Sequence, residues 1–314
     1  MSYRILTFDG GGILGIFSAR ILHHLYLAYP RLFAQVDLIA GTSTGGIIAL
    51  GLALGMMPDE LVSLYQLDGG DIFDRSWIRT ISDLGGLSGS TYDNVKLQAI
   101  LQAKFGDKKL SDLPKKVLIP SFDLDNSQDP WANPADPDFL RTWKPKFFHN
   151  YPGPDSDGEQ FVTDVAMRTS AAPTYFPSYQ HYIDGGVVAN NPSMAALAQA
   201  LDSGTGGQQL ADISLLSVGV GATSQFIDGH DHDWGLGQWA AGIVPLMMSG
   251  VSGVADYQCR RLLGLRYLRI NPELPKESWK MDDCQDIPAM LAAADAAMSA
   301  AEIAPIVAWL GAHF

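Results

Sequence analysis

Gly41-Thr42-Ser43-Thr44-Gly45 is the one G-x-S-x-G in this sequence, with the apolar run "VDLIA" before it and "GIIALGLALG" after it. A serine at the turn from a buried strand into a buried helix is lifted above the sheet at the helix N-terminus. The partial positive charge there favours negative charge as it develops. The spacing therefore predicts a nucleophile that attacks an electrophilic carbon and forms a covalent intermediate. Taken without their flanks, the same five residues could be an ordinary Gly-Ser turn.

A serine nucleophile needs fixed donors for the oxyanion it creates. "RILTFDGGGILG" supplies candidates, because Gly10, Gly11 and Gly12 carry no β-carbons and their amides can approach an acyl oxygen closely. The spacing Gly10-x-Gly12-x-x-Gly15 after a strand is also the fingerprint of dinucleotide binding, so an oxidoreductase is a rival reading. That rival needs an acid at the end of the second strand. Asp37 lies at about the right distance, but it begins "VDLIAG" instead of ending it.

The serine also needs a base. Seven histidines are present, and none of them stands out as a triad partner. "DGHDHDW" (Asp228 to Trp234) has the look of a metal site, but alternating His and Asp in a glycine loop reads as solvated surface. Asp-Gly-Gly occurs three times, beginning at Asp9, Asp68 and Asp184. Asp9 runs into the glycine loop. Asp68 closes a helical segment. Asp184 ends the strand-like "QHYI" and precedes the tight "GGVVANNP", where a carboxylate could take the Ser43 proton directly. Spacing alone does not choose among the three.

Strand-like and helix-like segments alternate along the chain, which predicts an α/β fold: a three-layer α/β/α sandwich around a largely parallel sheet. Strands are expected at Arg4 to Phe8, Val36 to Ala40, Val117 to Leu124 and Asp212 to Gly221. Helices are expected over Gly15 to Ala28, Thr44 to Leu54 and Pro288 to Leu310, with long loops between Asp123 and Gly158. No linker divides the chain, so residues 1–314 are expected to form one domain. With 34 acidic against 21 basic residues the net charge is −13, which argues against nucleic-acid polymers as partners. Two cysteines cannot build a disulfide scaffold. No signal peptide is expected, and no apolar run reaches the roughly 20 residues of a membrane span, so a cytoplasmic protein is the expectation. "WAAGIVPLMMSGVSGV" (Trp239 to Val254) is expected to be a buried core helix with a Pro kink. The other reading of it is a cover over an acyl pocket, or a transient contact with a membrane or micelle surface.

Glycine loop, G-x-S-x-G and a late Asp-Gly-Gly, in that order, resemble the patatin-like phospholipase family. "TSAAPTYFPSY" (Thr169 to Tyr179) resembles its connecting block and "LLSVGVG" its later core strand, so the landmarks run from Tyr3 to Gly221. The resemblance implies a patatin-like fold and a lipid acyl hydrolase acting on lipid or ester substrates. It implies a Ser43-Asp184 dyad, an oxyanion hole at Gly10, Gly11 and Gly12, and supporting turns at Gly15, Gly41, Gly45, Gly185 and Gly186. No metal or cofactor is called for. Leu14 departs from the family, which often has a basic residue at that position; this weighs against a strict phospholipid preference. A storage or interaction protein that keeps the fold without catalysis is the alternative.

Overall fold

The computed structural model describes residues 2–68, 90, 92–128, 132–222, 226–228, 233–235, 238–239, 242–274, 279 and 284–314. The chain opens with β1 (Tyr3–Phe8), a 3-10 turn (Gly12–Leu14), α1 (Gly15–Ala28), α2 (Leu32–Gln35), β2 (Leu38–Gly41), α3 (Thr44–Leu54) and α4 (Pro58–Ser63). It continues with α5 (Val95–Phe105), β3 (Lys116–Asp123), β4 (Lys144–His149), α6 (Val162–Thr169), β5 (Tyr182–Asp184), α7 (Gly186–Ala189) and α8 (Ser193–Leu201). Last come β6 (Ile213–Val218), α9 (Ile243–Leu263), β7 (Tyr267–Ile270), α10 (Ile287–Ala297) and α11 (Ala300–His313).

The seven strands form one sheet in the order β4-β3-β2-β1-β6-β7, with β5 paired to β3. Neighbours from β3 through β7 run parallel, while β4 and β5 run antiparallel to β3. Successive side chains of a strand face opposite sides of a sheet, and the core divides accordingly. Leu6, Phe8, Ile39, Val117, Ile119 and Leu216 join one cluster with α1, α3, α5 and α10. Ile5, Leu38, Ala40, Leu118 and Leu215 join another with α8 and the end of α9. Helices thus cover both faces, the three-layer arrangement that the alternating elements predict. α3 is buried on all sides except at its end, where Leu54 is half-buried before Gly55, so its near-continuous apolar sequence has no solvent face to serve.

One edge of β3 decides the geometry of the site. β4 takes the other edge from Leu118 to Asp123. β2 pairs with Lys116–Leu118 and the antiparallel β5 with Ser121–Asp123, so the C-terminal ends of β2 and β5 meet head to head near Pro120. Pro120, which has no N–H to give a ladder, stands in the gap between β2 and β5, and its carbonyl accepts from Thr169 Oγ1 at 2.5 Å.

Several sequence expectations need correction. β2 begins two residues late and includes Gly41. β4 lies within the stretch read as loops; Lys144, Pro145 and Lys146 conceal it, as is common on an edge strand. The C-terminal helix is two helices, broken at Met298–Ser299. The first half of α9, up to Val254, is not a buried core helix, since Val244, Leu246, Met247 and Val254 are all exposed. Among the described residues no single helix is long and apolar enough to cross a membrane.

Candidate active site

Ser43 sits between β2 and α3 with φ 55° and ψ −123°, a backbone conformation that costs a non-glycine residue energy and persists only where its surroundings enforce it. The enforcement is steric. A β-carbon on Gly41 would fall 1.9 Å from the Gly45 carbonyl oxygen, and one on Gly45 would fall 2.5 Å from that of Phe8. The two glycines therefore let the turn close on itself and let α3 press against the end of β1. Thr169 Oγ1 accepts the Ser43 N–H at 3.0 Å while donating to Pro120, which fixes the turn from behind.

Across the gap between β2 and β5, Ser43 Oγ donates to Asp184 Oδ2 at 2.5 Å. Asp184 Oδ1 accepts the Gly186 N–H at 2.7 Å, so the carboxylate is held at both oxygens. The chain reaches β5 through a tight turn in which Gln180 and His181 both have positive φ, closed by paired Tyr179 and Tyr182 backbone bonds. Arg168 clamps that turn by donating Nε to Gln180 Oε1 at 3.0 Å. Gly185 passes directly over the Pro120 carbonyl. Ser43 and Asp184 are both buried. Burial pushes the Asp184 carboxyl up to about 6, with the bonds from Ser43 and Gly186 pulling the other way.

The glycine loop lies beside this pair, as its position after β1 requires. Gly10 is already committed, however, because its N–H donates to the Asn190 carbonyl at 3.0 Å. The expectation of three available amides is therefore narrowed to two. Gly11 and Gly12 find no backbone acceptor among the described residues, and both border the cleft that holds Ser43 and Asp184. Gly12 has φ +60°, which glycine adopts at no steric cost. Gly15 opens α1 against Thr44 and Tyr65.

A family model described as Patatin-like phospholipase matches residues 6–197. The chain belongs to that family. A cGAMP-activated phospholipase from Pseudomonas aeruginosa is 31% identical over 89% of this chain and 81% of its own. Patatin-like protein 2 from Arabidopsis thaliana is 30% identical over 75% of this chain and 64% of its own. Among solved structures, VipD from Legionella pneumophila aligns over 93% of this chain and 67% of its own, with 12% identity and a TM-score of 0.43.

In this patatin-like chain the cleft is walled mainly by apolar groups, among them Ile47, Leu97, Phe176 and, from α9, Val244 and Met248. The matched region ends before α9, β7 and the two C-terminal helices. Those later elements contribute side chains that the motifs do not announce. Arg269 of β7 grips Asp9 with both terminal nitrogens, at 2.5 Å and 3.1 Å, and reaches Ser217 Oγ at 2.8 Å. Burial works against the Arg269 charge, yet Asp9 holds the guanidinium protonated, above its ordinary range. Asp9 thus anchors the start of the glycine loop, its carboxylate spent on Arg269 and not on Ser43, whose hydroxyl donates to Asp184. Leu14 is buried in the core.

The remaining sequence candidates lie elsewhere. Asp68 closes a helical turn over Leu64–Asp68. Asp37 accepts the Arg4 N–H, five residues before Asp9 and roughly 16 Å along the strand from the glycine loop. It therefore lies on the wrong side for a dinucleotide ribose. His24 pairs with Asp295 at 2.7 Å and His149 faces Asp155 at 3.5 Å, both outside the cleft. Residues 229–232 of the His/Asp segment lie outside the described residues. Thr169 and Arg269 were missed by sequence reasoning. Thr169 at least stands at the head of the "TSAAPTYFPSY" block, whereas Arg269 had no local signal.

Proposed function

We propose that the chain is a serine-dependent lipid acyl hydrolase in which residues 1–314 work as one catalytic unit. Ser43 attacks an ester carbonyl and passes its proton to Asp184. The amides of Gly11 and Gly12 receive the oxyanion, and the alcohol or lysolipid leaves with a proton from Asp184. Water then gives a proton to Asp184 and attacks the acyl-enzyme carbonyl; as the bond to Ser43 breaks, Oγ takes that proton back from Asp184, which frees the serine and a carboxylic acid.

The observation that carries this reading is the 2.5 Å bond from Ser43 Oγ to Asp184 Oδ2, made from a strained turn beside two amides without backbone acceptors among the described residues. Chemical matching supports it as well. An ordinary aspartate is too weak a base to work well near neutral pH, and burial raises this one to about 6. The apolar cleft walls suit an acyl chain, and Leu14 leaves no cation from that position for an acidic head group. The family and the name of the Pseudomonas relative make phospholipids the first substrates to try.

A fluorophosphonate probe tests the nucleophile without assuming a substrate. The wild-type protein is expected to gain one adduct, located on Ser43 by peptide mass spectrometry, and Asp184→Asn is expected to label far more slowly. An unlabelled, folded wild type would instead favour a patatin-fold storage or interaction protein.

A further inference from the structure

α9 is two helices in character. In its second half Ala255, Cys259 and Leu263 recur at four-residue spacing and are buried, the last two in the core cluster beside the sheet. Over residues 243–254 nothing is buried, although Ile243, Val244, Leu246, Met247, Val251 and Val254 are apolar and no charge appears before Asp256. Val244, Leu246, Met247 and Val254 are 45%, 47%, 55% and 56% exposed, values at which a soluble helix ordinarily carries polar side chains. A groove of about 960 Å³ separates these turns from α8, so the helix is not closed down by its own neighbours. The segment just upstream adds aromatic surface: Phe226 is 89% exposed, and Trp239 meets Trp234 edge-on at 5.1 Å.

We propose that the first half of α9, with Trp239, docks the protein onto a zwitterionic lipid surface and opens the catalytic cleft toward it; this rests on the lipid reading of that cleft. Three observations select this occupant. The apolar surface borders the site: Val244, itself exposed, and Met248 wall the cleft, while Leu246 and Met247 of the same turns line the neighbouring groove against α8. A lipid leaving the bilayer beside Val244 therefore meets the apolar wall of the cleft that holds Ser43, whereas a second copy seated there would cover it. Charge decides the kind of lipid. The net charge of −13 and the absence of any cation on α9 before Arg260 oppose anionic head groups, leaving insertion of apolar and aromatic side chains as the attraction. Trp beside an apolar helix is also suited to the head-group boundary, where one end of the ring is apolar and the other wet.

The test separates docking from chemistry by using the full chain with Ser43→Ala. That protein is expected to co-sediment with phosphatidylcholine vesicles, with little change on raising salt, and to bind phosphatidylserine vesicles more weakly. Leu246→Gln with Met247→Gln is expected to lower the vesicle partition by about tenfold or more, and Trp239→Ser to lower it by a smaller factor. In the Ser43 background the same changes should leave hydrolysis of a soluble short-chain ester intact, which shows that the variants fold. Failure of the wild type to bind vesicles would overturn the proposal. So would unchanged partition in the double variant, or a dimer in sedimentation velocity that the double substitution splits. Vesicle binding without ester hydrolysis in any sample would support the docking surface and count against the catalytic reading alone.

Discussion

Asp184→Asn is expected to abolish hydrolysis and to stabilise the fold above pH 6. Burial lifts the Asp184 carboxyl from its ordinary 3.8 to about 6. Because the folded value is the higher one, the native state holds this proton more tightly than the unfolded chain does. The resulting stability is fully present below pH 3.8 and is lost as pH rises through about 6. The gap between the two values corresponds to about 3 kcal/mol at pH 8, where both states are ionised. At pH 4, close to the unfolded value, the same linkage leaves a difference of well under about 1 kcal/mol. Asparagine carries no charge, keeps a carbonyl oxygen for the Gly186 amide and presents its NH2 to Ser43 Oγ, so the local bonds survive the exchange. The stability of the variant minus that of the wild type, from denaturant unfolding at several pH values, should widen by about 2 kcal/mol between pH 4 and pH 8. The other carboxylates are common to both proteins and cancel in the difference. A difference that stays flat or narrows with pH would refute a buried, charge-strained Asp184 and remove the physical basis for its role as base.

The same titration should appear in catalysis: kcat/KM for a soluble ester rises through about pH 6 to a plateau, and a profile falling across that range would contradict it. Arg269→Met strands the buried Asp9 carboxylate, so unfolding should become easier by about 3–5 kcal/mol, with partial recovery when Asp9→Asn is added; thermal and denaturant melts of the single and double variants measure this. Thr169→Val removes the acceptor of the Ser43 N–H and the donor to Pro120, and should cost about 1–3 kcal/mol together with a drop in kcat. An unchanged kcat would mean that the turn holds Ser43 without this support.

The parts of the site built from consecutive residues were legible in the sequence. β1, the glycine loop and α1 follow one another, and Gly41 to Gly45 announce their own strained turn, because the steric demands there come from residues a few positions apart. Asp184 was only one of three Asp-Gly-Gly candidates, since its meeting with Ser43 depends on β2 and β5 sharing an edge of β3. The turn leading into β5 was hidden as well: Gln180 and His181 take positive φ without the Asn or Gly that usually signals it. Its hold comes from Arg168, a partner that no turn rule names. Gly10 looked equivalent to Gly11 and Gly12 until Asn190 supplied its acceptor from the far side of the site. α9 was misread for a related reason. Composition alone cannot separate an apolar helix buried in a core from one left uncovered beside a cleft.

The measurement that tests the account most directly is fatty-acid release from phosphatidylcholine and from a short-chain nitrophenyl ester, comparing wild type with Ser43→Ala and without added metal. The account predicts turnover by the wild type and a loss of at least about a thousandfold on both substrates in the variant. A folded Ser43→Ala protein that keeps most of the wild-type rate would contradict it.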